Sequence, residues 1–126
     1  MKSLATLFVL VVVLAPVSAF ALPNTCECVR YLREVHDVNI KGDAWTINPN
    51  LPMINIDLGQ VLLLKYGKVY HAALIIGFEW KEGRQAPEYI WVVESNFKRC
   101  KVSSRKIEWE DPAIRGIYAP PPLAVL

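Results

Sequence analysis

The chain has almost no surplus charge: 14 Lys and Arg stand against 12 Asp and Glu, a formal net charge of +2. Bulk attraction to a polyanion is therefore not encoded. It also has no internal repeat, no low-complexity linker and no recognised nucleic-acid-binding motif. These absences argue against a repeat array, a string of domains and a nucleic-acid reader. Histidine is scarce, with two residues, and cysteine is odd in number, with three. Three cysteines cannot all pair within one chain, so a thiol is left over. The Cys-x-x-Cys spacing of dithiol redox sites is missing as well; the close pair here is Cys26-Glu27-Cys28.

What the chain does have begins at its N-terminus. Met1-Lys2 is a short basic start, Leu4 to Ala15 is an uncharged apolar run, and Pro16 breaks it. Val17-Ser18-Ala19 and Ala19-Phe20-Ala21 then present small residues where a signal peptidase cuts. Residues 1–21 read as an export signal, which places the protein in the periplasm, outside the cell or at the cell wall. The rival reading is a retained anchor from Leu4 to Leu22, the sole membrane contact the sequence allows. Residues 22–126 form one compact domain, with no room for a second.

The remainder divides into a helical front and a strand-rich back. Val29, Leu32, Val35 and His36 follow helical spacing, so Cys28 to Val38 is expected as a short amphipathic helix capped by Asn24 or Thr25. Residues 42–55, rich in Asn and Pro, read as loop. Gln60–Lys65 and Val69–Phe78 are runs of β-formers around the turn Tyr66-Gly67-Lys68, and Glu88–Glu94 is a third strand. Shorter strands are expected near Lys101–Ser104 and Ile114–Tyr118. Helices first and antiparallel strands after is an α+β pattern.

Three residue types carry the chemistry. A thiol at a helix start is placed for activation, since the helix N-terminus and a nearby imidazolium both favour thiolate. Cys28 has that position. His71 heads the buried-looking strand His-Ala-Ala-Leu-Ile-Ile, and Glu94 closes Tyr-Ile-Trp-Val-Val-Glu, where a carboxylate is costly unless paired. Paired to His71, Glu94 would orient the ring and stabilise its cation. Asn96, two residues on, returns to the same face of an extended segment. The second histidine, His36, lies about two helical turns from Cys28, roughly 12 Å away, out of reach of the thiol. For the disulfide, Cys26 with Cys100 is the preferred pairing; Cys28 with Cys100, or no bridge, stays open. Lys98, Arg99, Lys101, Arg105 and Lys106 form a local basic cluster, read either as a solvated face or as a rim for an anionic polymer.

Taken together these segments resemble the CHAP domains, the cysteine/histidine-dependent amidohydrolase/peptidases. Cys28-Val-Arg-Tyr31-Leu resembles their Cys-x-x-Tyr-Val opening, and Gly42-Asp-Ala44-Trp45 resembles their Gly-Asn-Ala-x-x-Trp loop. Pro52 to Val61 is similar to Pro-x-x-Gly-Asp-Val, His71-Ala-Ala-Leu-Ile-Ile to His-Val-Ala-Ile-Val, and Glu94-Ser95-Asn96 to Glu-x-Asn. Arg115 to Pro120 is similar to the closing Gly-Tyr/Phe-Ile-x-Pro. The six motifs run in the family's order across nearly all of residues 22–126. Two departures stand out: Glu27 where the family commonly has Gln, and the Cys-x-Cys arrangement.

The resemblance implies a papain-like α+β fold, with N-terminal helices packed on an antiparallel sheet, and hydrolysis of a peptidoglycan amide bond. It implies Cys28 as nucleophile, His71 as base and then acid, Glu94 as orienting carboxylate and Asn96 as a fourth member. Backbone amides at the helix start would hold the oxyanion, and neither a metal nor a cofactor is needed. The rival readings are an inactive cell-wall-binding module and a thiol-redox protein using Cys26 and Cys28. A zinc site from Cys26, Cys28 and a histidine would lack a fourth ligand.

Overall fold

A computed structural model describes residues 27–95 and 100–122. Residues 1–21, read above as an export signal, lie outside the described residues, as do Cys26, Asn96, Lys98 and Arg99.

Helix α1 (Cys28–Val35) starts where Glu27 leaves helical space and ends where Asp37 turns left-handed, with φ 54. The Val38 amide then folds back to Leu32 O at 3.2 Å. Val29 and Leu32 have no exposed surface, while Arg30 and Arg33 face solvent, so one stripe of the helix is buried.

Five strands follow: β1 (Val61–Tyr66), β2 (Val69–Glu79), β3 (Tyr89–Ser95), β4 (Val102–Glu108) and β5 (Ile114–Tyr118). They form one antiparallel sheet in the order β4-β3-β2-β1-β5. β1 and β2 join through Gly67-Lys68, with Tyr66 opposite Val69 and Gly67 at φ 61. A glycine at the first of two turn residues suits the twist of a tight hairpin.

The sheet is not flat. β4 and β5 are its opposite edges, four strand spacings or about 19 Å apart if flat. Yet Glu108 and Ile114 are linked by two successive turns, closed by Asp111 N–H to Glu108 O (3.0 Å) and Ile114 N–H to Asp111 O (3.1 Å). Each such turn spans less than about 7 Å, so the two ends lie within about 14 Å. The edges must curl toward each other. Leu62, Leu64, Ala73, Ile75, Ile90, Val92, Ile107 and Ile117, from all five strands, fill the inside of that curl. Period-two alternation sends Val61, Leu63 and Ala72 to the other face, where Val29, Leu32, Ile40 and Ile47 cover them. Each fully buried Leu or Ile contributes about 1.5–3 kcal/mol.

The papain-like α+β arrangement, with several N-terminal helices, is not what the chain adopts. Among the described residues there is one α-helix, of eight residues, and the architecture is mostly antiparallel sheet. The physical reason lies between the helix and β1. Pro49 and Pro52 lack an amide to donate. The pairs Asp43–Thr46 and Asp57–Gln60 make local side-chain-to-backbone bonds that compete with helix. A single 3₁₀ turn, Met53–Asn55, is all that forms there. This loop is nevertheless held down. Arg115 donates to Ala44 O and Ile47 O, both at 3.3 Å. Gly116, at φ 146, leaves room for Pro49, whose Cβ would lie 2.7 Å from any added side chain.

Candidate active site

Cys28 is the first residue of α1, 8% exposed, and its thiol is free. It packs among the apolar residues of the helix-covered face, beside Ala72 and Val29. The cap of this helix is Glu27, not Asn24 or Thr25 as the sequence suggested. Its two carboxylate oxygens accept from the amides of Val29 (3.0 Å) and Arg30 (2.9 Å). Those are amides expected to hold an oxyanion, and the cap already occupies them.

His71 is the third residue of β2 and is 5% exposed. Its Nε2 lies 2.6 Å from Glu94 Oε1. The Cys28 side chain lies near enough to the ring to favour its protonated form. With Nε2 on the carboxylate, Nδ1 is the nitrogen left to serve the thiol. By strand alternation His71 shares the inner face of the curl with Leu64 and Glu94, while Cys28 packs with Ala72 on the helix-covered face. Burial is the largest single influence on His71 and works against its cation; the hydrogen bonds to Cys28 and Glu94, and then their charges, overcome it. The net result pushes the imidazole up to about 9.

Glu94, with no exposed surface, sits on β3 one residue before Ser95, which is also fully buried. Burial, again the largest influence, opposes its charge. Hydrogen bonds from His71 and Arg105, and their positive charges, outweigh it and hold the carboxyl below its usual value. The structure therefore brings Cys28, His71 and Glu94 together from α1, β2 and β3. Asn96 is outside the described residues. Cys100 is disulfide-bonded.

Two residues were missed as members of this site. Arg105 donates through Nε to Glu94 Oε2 (2.7 Å) and through Nη2 to Glu94 Oε1 (3.2 Å). The same Nη2 donates to Tyr66 Oη at 2.7 Å. The sequence placed Arg105 in a single basic cluster, but strand alternation divides that cluster. Arg105 turns into the curl, while Lys106 lies on the other face, 3.6 Å from Glu79 and over the Tyr89 ring. The signal available in sequence was the cost of an unpaired carboxylate at position 94. It demands a partner without naming one.

His36 is engaged elsewhere, its Nε2 2.8 Å from Tyr31 Oη. Among the described residues no group of three or more His, Cys, Asp or Glu is gathered to hold a metal ion. Two surface hollows, one beside Tyr89 and Trp109 and one beside Val38 and Ile40, are not lined by Cys28, His71 or Glu94.

No protein-family model matches the chain, and no curated protein or solved structure matches it either.

Proposed function

We propose that this protein is an exported cysteine amidase or peptidase that cleaves an amide bond of peptidoglycan. The observation that carries the reading is the His71–Glu94 hydrogen bond, together with a free Cys28 thiol at a helix start near enough to favour the imidazolium. A nucleophile, a base and an orienting carboxylate in that order are the parts of a thiol acyl-transfer site. The choice of peptidoglycan rests on the likeness of the six sequence motifs to CHAP domains, and on the signal-like residues 1–21.

In the proposed reaction Cys28 passes its thiol proton to His71, and the thiolate sulfur attacks the carbonyl carbon of a stem-peptide amide or of the muramoyl–alanine bond. The C–N bond breaks as His71 gives its proton to the leaving nitrogen, and a thioester forms. Water then attacks the thioester while His71 takes a proton from it. The acid product leaves and the thiol is restored. Glu94 stays ionised throughout, holding the imidazole by Nε2. An imidazole pushed up to about 9 keeps its proton at neutral pH, which suits it to the donating step.

The test is mass spectrometry of purified peptidoglycan after incubation with the protein. One amide bond should be cut, giving a new amine and a new carboxyl end, and Cys28→Ala should give neither. Intact muropeptides after digestion with the wild-type protein would reject the hydrolase reading. Binding without cutting would favour the inactive wall-binding module.

A further inference from the structure

We propose that Arg105 is a positioning residue for this site: it keeps Glu94 ionised and aimed at His71, so that the carboxylate acts as a fixed negative charge and never as a proton acceptor. The inference rests on the reading of Cys28, His71 and Glu94 as a thiol acyl-transfer site.

Glu94 has no exposed surface, and a carboxylate in that setting tends to neutralise by taking a proton. Its nearest proton source is His71, whose Nε2 is 2.6 Å away. If the proton crossed, imidazolium would become imidazole and the leaving amine would lose its donor. Arg105 opposes this transfer. It reaches both carboxylate oxygens, Nε to Oε2 at 2.7 Å and Nη2 to Oε1 at 3.2 Å. A guanidinium stays charged at every working pH, so it cannot hand on a proton or become neutral. The proton inventory of the site therefore ends at His71.

Arg105 is itself held. Its Nη2 also donates to Tyr66 Oη at 2.7 Å, and the guanidinium carbon lies 5.7 Å from the centre of the Tyr66 ring. Among the described residues, the groups shown facing Glu94 are His71 from β2, Arg105 from β4, and Tyr66 from β1 by way of Arg105. On β4, Ser103 stands directly opposite Glu94 in register and carries no charge. Cys28 of α1 acts on the carboxylate through His71. One side chain from each of four strands meets inside the curl, so the backbone sets the geometry. A forked, two-point grip also fixes the plane of the carboxylate, which the point charge of a lysine would not.

The experiment compares Arg105→Met and Arg105→Lys with wild type by two readouts. The first is the titration of the Glu94 side-chain carboxyl, followed by carbon-13 NMR. The second is the pH profile of peptidoglycan cleavage. In wild type the carboxyl should titrate below the ordinary value of 4.5, because burial is outweighed by the bonds and charges of His71 and Arg105. In Arg105→Met it should titrate above that value, and the acid limb of the rate should move to higher pH. At neutral pH kcat should fall by about 10- to 100-fold, the scale of a misplaced catalytic group, with KM little changed. Arg105→Lys should recover part of both effects.

A folded Arg105→Met variant with unchanged Glu94 titration and unchanged acid limb overturns the proposal. Should Arg105→Met not fold, Arg105→Lys and Tyr66→Phe carry the test, and no shift of Glu94 in either overturns it. If Glu94 shifts as expected while wild type cuts no peptidoglycan, the positioning role stands and the hydrolase reading fails.

Discussion

Glu94 follows Tyr-Ile-Trp-Val-Val on a strand whose Ile90 and Val92 are fully buried, and it is buried as completely as they are. At this scale the pairing of His71 with Glu94 was legible, because a carboxylate closing an apolar strand demands a partner. Arg105 and Tyr66 were not, since their part depends on β4 pairing with β3 in a register that places Arg105 opposite Val92. Shifting β4 by one residue would turn Arg105 to the other face. The elevated imidazole leads to a pH prediction. A raised value means that the cation persists to higher pH, so a rate needing imidazolium should decline near pH 9 rather than near 6.5. Glu94→Gln removes a stabilising charge and should move that alkaline limb down. Cys28→Ala should remove turnover by about 10⁴-fold or more while the domain stays folded. A wild-type limb near 6.5, or one indifferent to Glu94→Gln, would show that His71 does not work as the cation.

Elements were read with mixed success, and the differences are local. The two runs of β-formers around Gly67 stand within a residue or so of β1 and β2, because buried strands carry continuous apolar runs with clear turn signals. The helix begins at Cys28 as expected but stops at Val35 instead of Val38, since Asp37 adopts φ 54 and cannot continue it. Its cap was assigned to the usual short polar residues, Asn24 or Thr25, whereas the longer Glu27 side chain folds back onto its own helix. This cap is testable by stability. Glu27→Ala leaves the amides of Val29 and Arg30 without their acceptor and should cost about 1 kcal/mol. For a domain of this size, that is a fall in Tm of about 4–8 °C. Glu27→Gln keeps an acceptor and should lose less, mainly the charge–dipole attraction of about 0.3–1 kcal/mol. Equal urea midpoints for wild type and Glu27→Ala would mean that the cap contributes nothing.

At the scale of the whole molecule the misreading was the number of helices, and it came from the papain-like fold the family resemblance implied, since residues 42–55 by themselves read as loop. The stretch between α1 and β1 does not pack as helix; it is a loop pinned to β5 by Arg115 and by the close approach of Pro49 to Gly116. Those contacts join residues 67–71 positions apart, a separation that no local pattern announces. The cysteines pose a similar long-range question. Cys28 is free and Cys100 is disulfide-bonded, while Cys26 lies outside the described residues. A Cys26–Cys100 bridge would tie the start of α1 to the turn before β4, joining the strand of Arg105 to the helix of Cys28. Closing a loop that encompasses most of the domain should stabilise it by about 4 kcal/mol. Peptide mapping without reductant should therefore find Cys26 linked to Cys100 and a single alkylatable thiol at Cys28. Reduction should lower the urea midpoint and leave the Cys28 label unchanged. A map that instead joins Cys100 to Cys28 would mean that the nucleophile is masked until reduced, and activity would then rise, rather than hold, on adding a thiol reductant.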